Sequence, residues 1–312
     1  MAVSPQVPDE LNMTWLQATQ TGQLLFPNVG NPILFSRSTN GGKTWSKPVQ
    51  VNRPSRVRVV APSVAVGANG RLLISYLDMG NDALDYNGGS GGMGGPAYPG
   101  PWTLVLAYSN DSGIHWGETV VAPKVVPYTR FVVFLPPVPS LVVNTADNHV
   151  YVGFTDAVSG DPDAYVWTSA NNGASFGAGV LVNDTPKHHG TAQYLPRLAV
   201  APDGRLDVLY YDRRTDPSDL LNAVSLQSSY DGGRTFSHHL VVSDRSFSSQ
   251  SGKQDIGSQV ISITARSGWR TPLEALGWVL EALGLAALVV ATLAWHAGRR
   301  PELEVTADPV ES

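Results

Sequence analysis

The chain has 312 residues with 15% charged, a formal net charge of −5, 31 glycines, 23 prolines and no cysteine. Few charges with that much Gly and Pro point to a turn-rich all-β protein, and no basic run invites nucleic acid. The lack of cysteine excludes disulfides and thiolate metal sites, a usage common in bacterial envelope proteins. Residues 1–30 also lack the basic start and long apolar run of a signal peptide.

In chain order, the first predicted unit runs from about residue 2 to 52, with LNMTWLQ as its second strand. It closes on the short box STNGGKTW (Ser38, Asn40, Gly42, Trp45). A second unit over 59–125 carries SNDSGIHW (Ser109, Asp111, Gly113, Trp116), and a third over 136–183 carries SANNGASF (Ser169, Asn171, Gly173, Phe176). A fourth over 194–243 holds SYDGGRTF (Ser229, Asp231, Gly233, Phe236). The boxes start at 38, 109, 169 and 229, a spacing that means an array of similar units. In each box the Asp or Asn accepts nearby backbone N–H bonds, the Gly takes a positive φ, and the closing aromatic is expected to pack between sheets.

A second repeat runs out of phase with the first. PSVAVGANGRLLISYLD (62–78), PSLVVNTADNHVYVGFTD (139–156) and PRLAVAPDGRLDVLYYD (196–212) align from Pro to Asp. Each reads as a strand, a polar turn and a second strand rich in Val, Ile and Tyr. With the box hairpin this gives four antiparallel strands per unit, the blade of a β-propeller. IGSQVISITARSG (256–268) reads as the start of a fifth blade that reaches no box.

These boxes resemble the Asp-box (BNR) repeats of sialidases and related β-propellers. The resemblance covers four units and implies an all-β propeller of sialidase type, in which six blades are expected. Four blades and a partial fifth are recognisable here, so the propeller over 1–268 is incomplete or closes differently. It also implies that the active face lies opposite the boxes.

On that opposite face the strand-two ends carry Asp78, Asp156 and Asp212, the last followed by Arg213 and Arg214. The inter-blade loops add Arg56, Arg58, Arg130, His188, His189, Tyr194 and Arg197. Arginine forks can grip a carboxylate and a carboxyl can serve as an acid. For sialidase-type chemistry, Tyr194 or Tyr211 is the candidate nucleophile and Asp78 or Asp212 the acid, with Arg130, Arg197, Arg213 and Arg214 holding an acidic sugar. The bland reading keeps each Asp as a structural cap and the Arg pair as an inter-blade salt bridge. His188–His189 reads either as a pH-sensitive site or as a solvated pair, and DAVSGDPDA (156–164) matches no strong metal pattern. No cofactor is implied. The Gly-rich tract 87–101 reads as a linker, or as a flap bringing Tyr98 and Trp102 over a sugar.

Sialidases open with a Phe/Tyr-Arg-Ile-Pro motif and activate their Tyr nucleophile with a Glu. The motif is missing here, and Glu10, Glu118 and Glu274 are the only glutamates before the C-terminal apolar run, with Glu118 expected on the box side. Three readings therefore stay open, an exo-sialidase-type hydrolase, a non-catalytic glycan- or protein-binding propeller, and a truncated, inactive relative. Finally, LGWVLEALGLAALVVATLAW (276–295) follows a short linker at 269–275. Its twenty residues match a bilayer core, and Arg299–Arg300 favour a cytoplasmic tail over 296–312 with the propeller outside. The alternative is an amphipathic helix lying against the propeller.

Overall fold

Val-, Ile- and Tyr-rich runs broken by Gly, Asn and Asp turns fold as four antiparallel sheets, each a simple meander of neighbouring strands. The computed structural model describes residues 1–17, 32–81, 100–126 and 138–248. Blade one holds β1 (Ala2–Val3), β2 (Leu11–Leu16), β3 (Ile33–Ser38) and β4 (Val49–Gln50). Blade two holds β5 (Val59–Val66), β6 (Leu72–Asp78), β7 (Trp102–Ser109) and β8 (Gly117–Val125). Blade three holds β9 (Ser140–Val143), β10 (Val150–Asp156), β11 (Asp163–Ser169) and β12 (Val180–Leu181). Blade four holds β13 (Gln193–Val200), β14 (Leu206–Asp212), β15 (Leu221–Ser229) and β16 (Leu240–Val241), while β17 (Phe247–Ser248) adds to β15.

The first strands of successive sheets meet one another, β1 on β5, β5 on β9 and β9 on β13. That places them innermost, with the later strands of each blade radiating outward. Three apolar clusters fill the seams. Ile33, Phe35 and Val59 pack with Ile74 and Tyr76 between blades one and two. Leu73, Leu104 and Leu106 pack with Val150, Val152 and Trp167 between blades two and three. Tyr151 and Val166 pack with Leu206, Val208 and Tyr210 between blades three and four. Each such side chain contributes about 1.5–3 kcal/mol on leaving water.

Burial along the second strands records who has neighbours. Every residue of β10 is buried, because blades stand on both sides of it. In β14 burial alternates instead: Leu206, Val208 and Tyr210 face blade three, while Asp207, Leu209 and Tyr211 are half-exposed on the other side. Trp102 is fully buried in the seam between blades two and three, so it does not reach over a sugar. The proposed fifth blade at 256–268, most of the tract at 87–101, the linker and the apolar run 276–295 lie outside the described residues.

Candidate functional site

The boxes first have to be separated from any chemistry. In all four the Ser hydroxyl donates to the Asp or Asn, at 3.0 Å in Ser38–Asn40, 2.7 Å in Ser109–Asp111, and 2.8 Å in both Ser169–Asn171 and Ser229–Asp231. The same Ser oxygen accepts the N–H of Gly42, Gly113, Gly173 or Gly233, whose φ values lie between +80° and +88°. The Asp or Asn accepts the N–H four residues after the Ser-paired position, from Thr44, His115, Ser175 and Thr235. Those bonds hold Asp111 and Asp231 well below the usual carboxylate range, led by the His115 backbone N–H and the Thr235 hydroxyl respectively. Trp116, Phe176 and Phe236 pack on the seams as expected. Trp45 instead stays more than a third exposed, since no sheet precedes blade one among the described residues.

Strand pairing then fixes the two faces. Leu72 pairs with Ser109, where a box begins, whereas Asp78 pairs with Thr103 at the far end of the sheet. Blade four repeats this, with Leu206 beside Ser229 and Asp212 beside Ala223. The strand-two aspartates therefore sit opposite the boxes.

There they are engaged by their own fold. Arg56 donates to Asp78 at 2.6 Å and to Glu118 at 3.0 Å, and the Tyr76 hydroxyl donates to Glu118 at 2.6 Å. Glu118 follows a box, as its sequence position says, but its side chain is buried in the seam between blades one and two. Arg214 repeats the device at blade four, donating to Asp212 at 2.6 Å, to Asp184 at 2.6 Å and to the Tyr210 hydroxyl at 3.0 Å. Asp212 also accepts from Ser225 and Gln193, and Gln193 continues through Thr185 and Asn183 to Asp163. This polar ladder stitches blade three to blade four.

Tyr194 is buried, its hydroxyl donating to Asn222 at 2.5 Å. Arg213, also buried, donates to Asn222 at 2.8 Å and to the Asp219 carbonyl at 2.7 Å, and lies over the Tyr194 ring. Asp156 accepts from the Val126 and Val158 N–H groups, and its burial raises the carboxyl above its ordinary range. Asp163 is held by Ser159 and Asn183, and Asp161 by His189 and Gly190. The three carboxylates of the 156–164 stretch thus diverge, and no group of three metal-ligating side chains occurs among the described residues. Glu10 is buried against Arg37 and Asn12. Arg130 lies outside the described residues.

Two of the expected residues stand apart. Pro196 has no N–H for the ladder, and β13 bulges between Tyr194 and Arg197, with Leu195 at φ +53°. Past the bulge, Arg197 pairs with Leu209 and so shares the half-exposed side of blade four with Tyr211. Arg197 donates to the Val138 carbonyl at 3.0 Å, and no carboxylate pairs with it among the described residues. Burial lowers the Arg197 pKa, and the nearby Tyr211 opposes that shift. Burial likewise raises the Tyr211 phenol, and the Arg197 charge only partly offsets it. The Tyr211 ring meets Tyr194 at 5.3 Å and Phe247 at 5.9 Å, giving an arginine beside an aromatic shelf on an inner strand.

Reading the sequence missed one recurrent element. Asn52, Asn183 and Ser243 each lie two residues past a fourth strand and accept the N–H of Ile33, Ala164 and Val224. The Val-Asn pairs in QVNRP and LVNDT were the signal.

No protein-family model and no curated protein matches this chain. Solved structures do. A protein of unknown function from Dyadobacter fermentans has 15% identity and a TM-score of 0.51, over 75% of this chain and 65% of its own. The Hadza microbial sialidase Hz136 has 18% identity and a TM-score of 0.50, over 77% and 45%. The α-L-arabinanase of Penicillium chrysogenum, complexed with arabinobiose, has 17% identity and a TM-score of 0.51, over 72% and 61%. The chain thus spans about half to two thirds of the length of these neighbours. The likeness is one of fold: the four sheets are arranged as the blades of a β-propeller.

Proposed function

We propose that this propeller is a non-catalytic module that binds acidic glycans, with Arg197 and Tyr211 as its recognition point. The observation that carries the reading is Arg197 itself, a half-buried guanidinium with a single carbonyl acceptor and no carboxylate partner among the described residues. Such a fork is suited to a sugar carboxylate, and the Tyr211–Phe247 shelf suits the apolar face of a pyranose. Hydrolysis asks for more. Tyr211 would need a base to take its proton, yet its phenol is shifted away from ionisation, and the neighbouring Asp212 is buried with Arg214, Gln193 and Ser225.

The test is to offer the full chain a sialylated glycan array and a fluorogenic sialoside. Retention on acidic glycans, lost in Arg197→Ala, with no turnover is the expected result. Turnover abolished by Tyr211→Phe would replace this reading with that of an exo-sialidase-type hydrolase. We further propose that the apolar run 276–295 tethers the propeller to a membrane with its blades outside. Among the described residues no helix is long and apolar enough to cross one.

A further inference from the structure

Blades four and one each carry half of a seam. In blades one to three, the third-strand residue three places before the box serine is Phe35, Leu106 or Val166, and each is buried in the seam with the next blade. Leu226 holds that position in blade four and is half-exposed, since no sheet follows it among the described residues. It stands in one cross-strand row with Leu209, also half-exposed, and Leu240, which is 61% exposed. Blade one has the opposite deficit. Trp116, Phe176 and Phe236 pack on seams, whereas Trp45 of the first box is exposed. On the same sheet Trp15 and Leu34 pair on the side turned away from blade two and are half-exposed. An apolar patch of this kind marks an interaction surface.

We propose that blade one of a second copy docks on blade four, continuing the array between chains with the contacts of the three seams within it. The register carries over. In the seam between blades three and four, Gly233 stands against Tyr151 and Thr168. Tyr151 pairs with Thr168 as Asp207 pairs with Ser228, one residue before the box serine in each case. The same register sets Gly42 of the second copy at Asp207 and Ser228. Its exposed neighbour Lys43 then meets the Asp207 carboxylate, which Arg205 engages from within its own blade. Such a rim pair favours this register while the leucine row and Trp45 leave water. The two surfaces differ, so the contact is heterologous, and copies add head to tail until a ring closes or a filament grows. Arg197 lies in the Leu209 row, so the second copy and an acidic glycan exclude each other there; the association itself does not rest on glycan binding.

Size-exclusion chromatography with light scattering gives the protein mass of the full chain in detergent, from about 1 to 100 µM. We expect masses rising with concentration to multiples of the 33.3 kDa chain. Leu226→Lys, or Leu240→Lys on its more exposed neighbour, should return the protein to one chain, and so should Trp45→Ser. Mixing Leu226→Lys with Trp45→Ser should restore a species of two chains and no more, because one intact face of each kind remains. A single-chain mass at every concentration overturns the proposal, as when another part of the same chain covers blade four. So does assembly that survives either substitution, which is the outcome if the apolar run 276–295 drives it. Variants that melt like the parent chain and are each monomeric, yet fail to pair on mixing, overturn it as well.

Discussion

Gly113 of the second box stands against the Phe35 ring of blade one: a Cβ added there would lie 2.7 Å from Phe35 Cδ1 and closer still to Cε1. The relation recurs along the array, with Gly173 against Leu106 and Gly233 against Thr168, each a third-strand residue of the preceding blade. The box glycine therefore serves two ends, a left-handed turn and a flat surface for its neighbour.

Gly113→Ala should cost about 2–4 kcal/mol, adding left-handed backbone strain to an overpacked ring contact. Gly190→Ala is the control. It has a similar φ of +82° but nothing within 4 Å, so only the backbone strain of about 1–2 kcal/mol should appear. Urea denaturation of the two variants checks this, and equal losses would show that the Phe35 contact is immaterial.

Acid should loosen the array through its boxes. Asp111, Asp231 and Asp184 are all depressed in the folded chain, so each stabilises fully above the unfolded carboxylate pKa of about 3.9 and loses that contribution as pH falls from there through its lower folded value. For Asp184, burial works against ionisation, and the Arg214 and His239 hydrogen bonds outweigh it. Urea midpoints should drop between pH 5 and pH 2. Replacing Asp111 and Asp231 by Asn, the residue already present in boxes one and three, should flatten that drop.

Arg214→Met should destabilise by about 3–5 kcal/mol, because it leaves buried Asp212 without its cation, and Arg56→Met should cost less, because Arg53 still faces Glu118 and Asp78 is partly exposed. Thermal melts would show this whatever ligand is offered. A loss of glycan binding with an unchanged melt would instead make either arginine a ligand contact.

Removing residues 269–312 should move the protein from the membrane pellet to the supernatant after carbonate extraction. A protein that stays in the supernatant with the segment intact refutes the tether.

The blades were legible because their determinants are local. Ser, Asp or Asn, Gly and an aromatic act within eight residues, and the strand-two alternation needs only a period of two. The far face was less legible because its contacts are long-range. Nothing near Asp78 in sequence announces Arg56 or Glu118, and Glu118 was placed by its box rather than by the seam it fills. Tyr194 and Tyr211 are cross-strand partners of the same type, yet one is buried against Asn222 and the other half-exposed beside Arg197. The bulge at Leu195–Pro196 lies between Tyr194 and Arg197 in that ladder, and its three-dimensional outcome is not written in residue types.

The arginine that clamps the strand-two aspartate enters one seam from the loop before β5 and another from the loop after β14. The partner in the adjoining blade also changes sign between them. Arg53 faces Glu118 in one seam, and Asp184 faces His239 in the other. A blade is therefore not an interchangeable cassette. Grafting blade two into the fourth position would bring Glu118 toward Asp184 and leave no guanidinium between them, so chimeras cut at blade boundaries should fail unless the flanking loops travel as matched pairs.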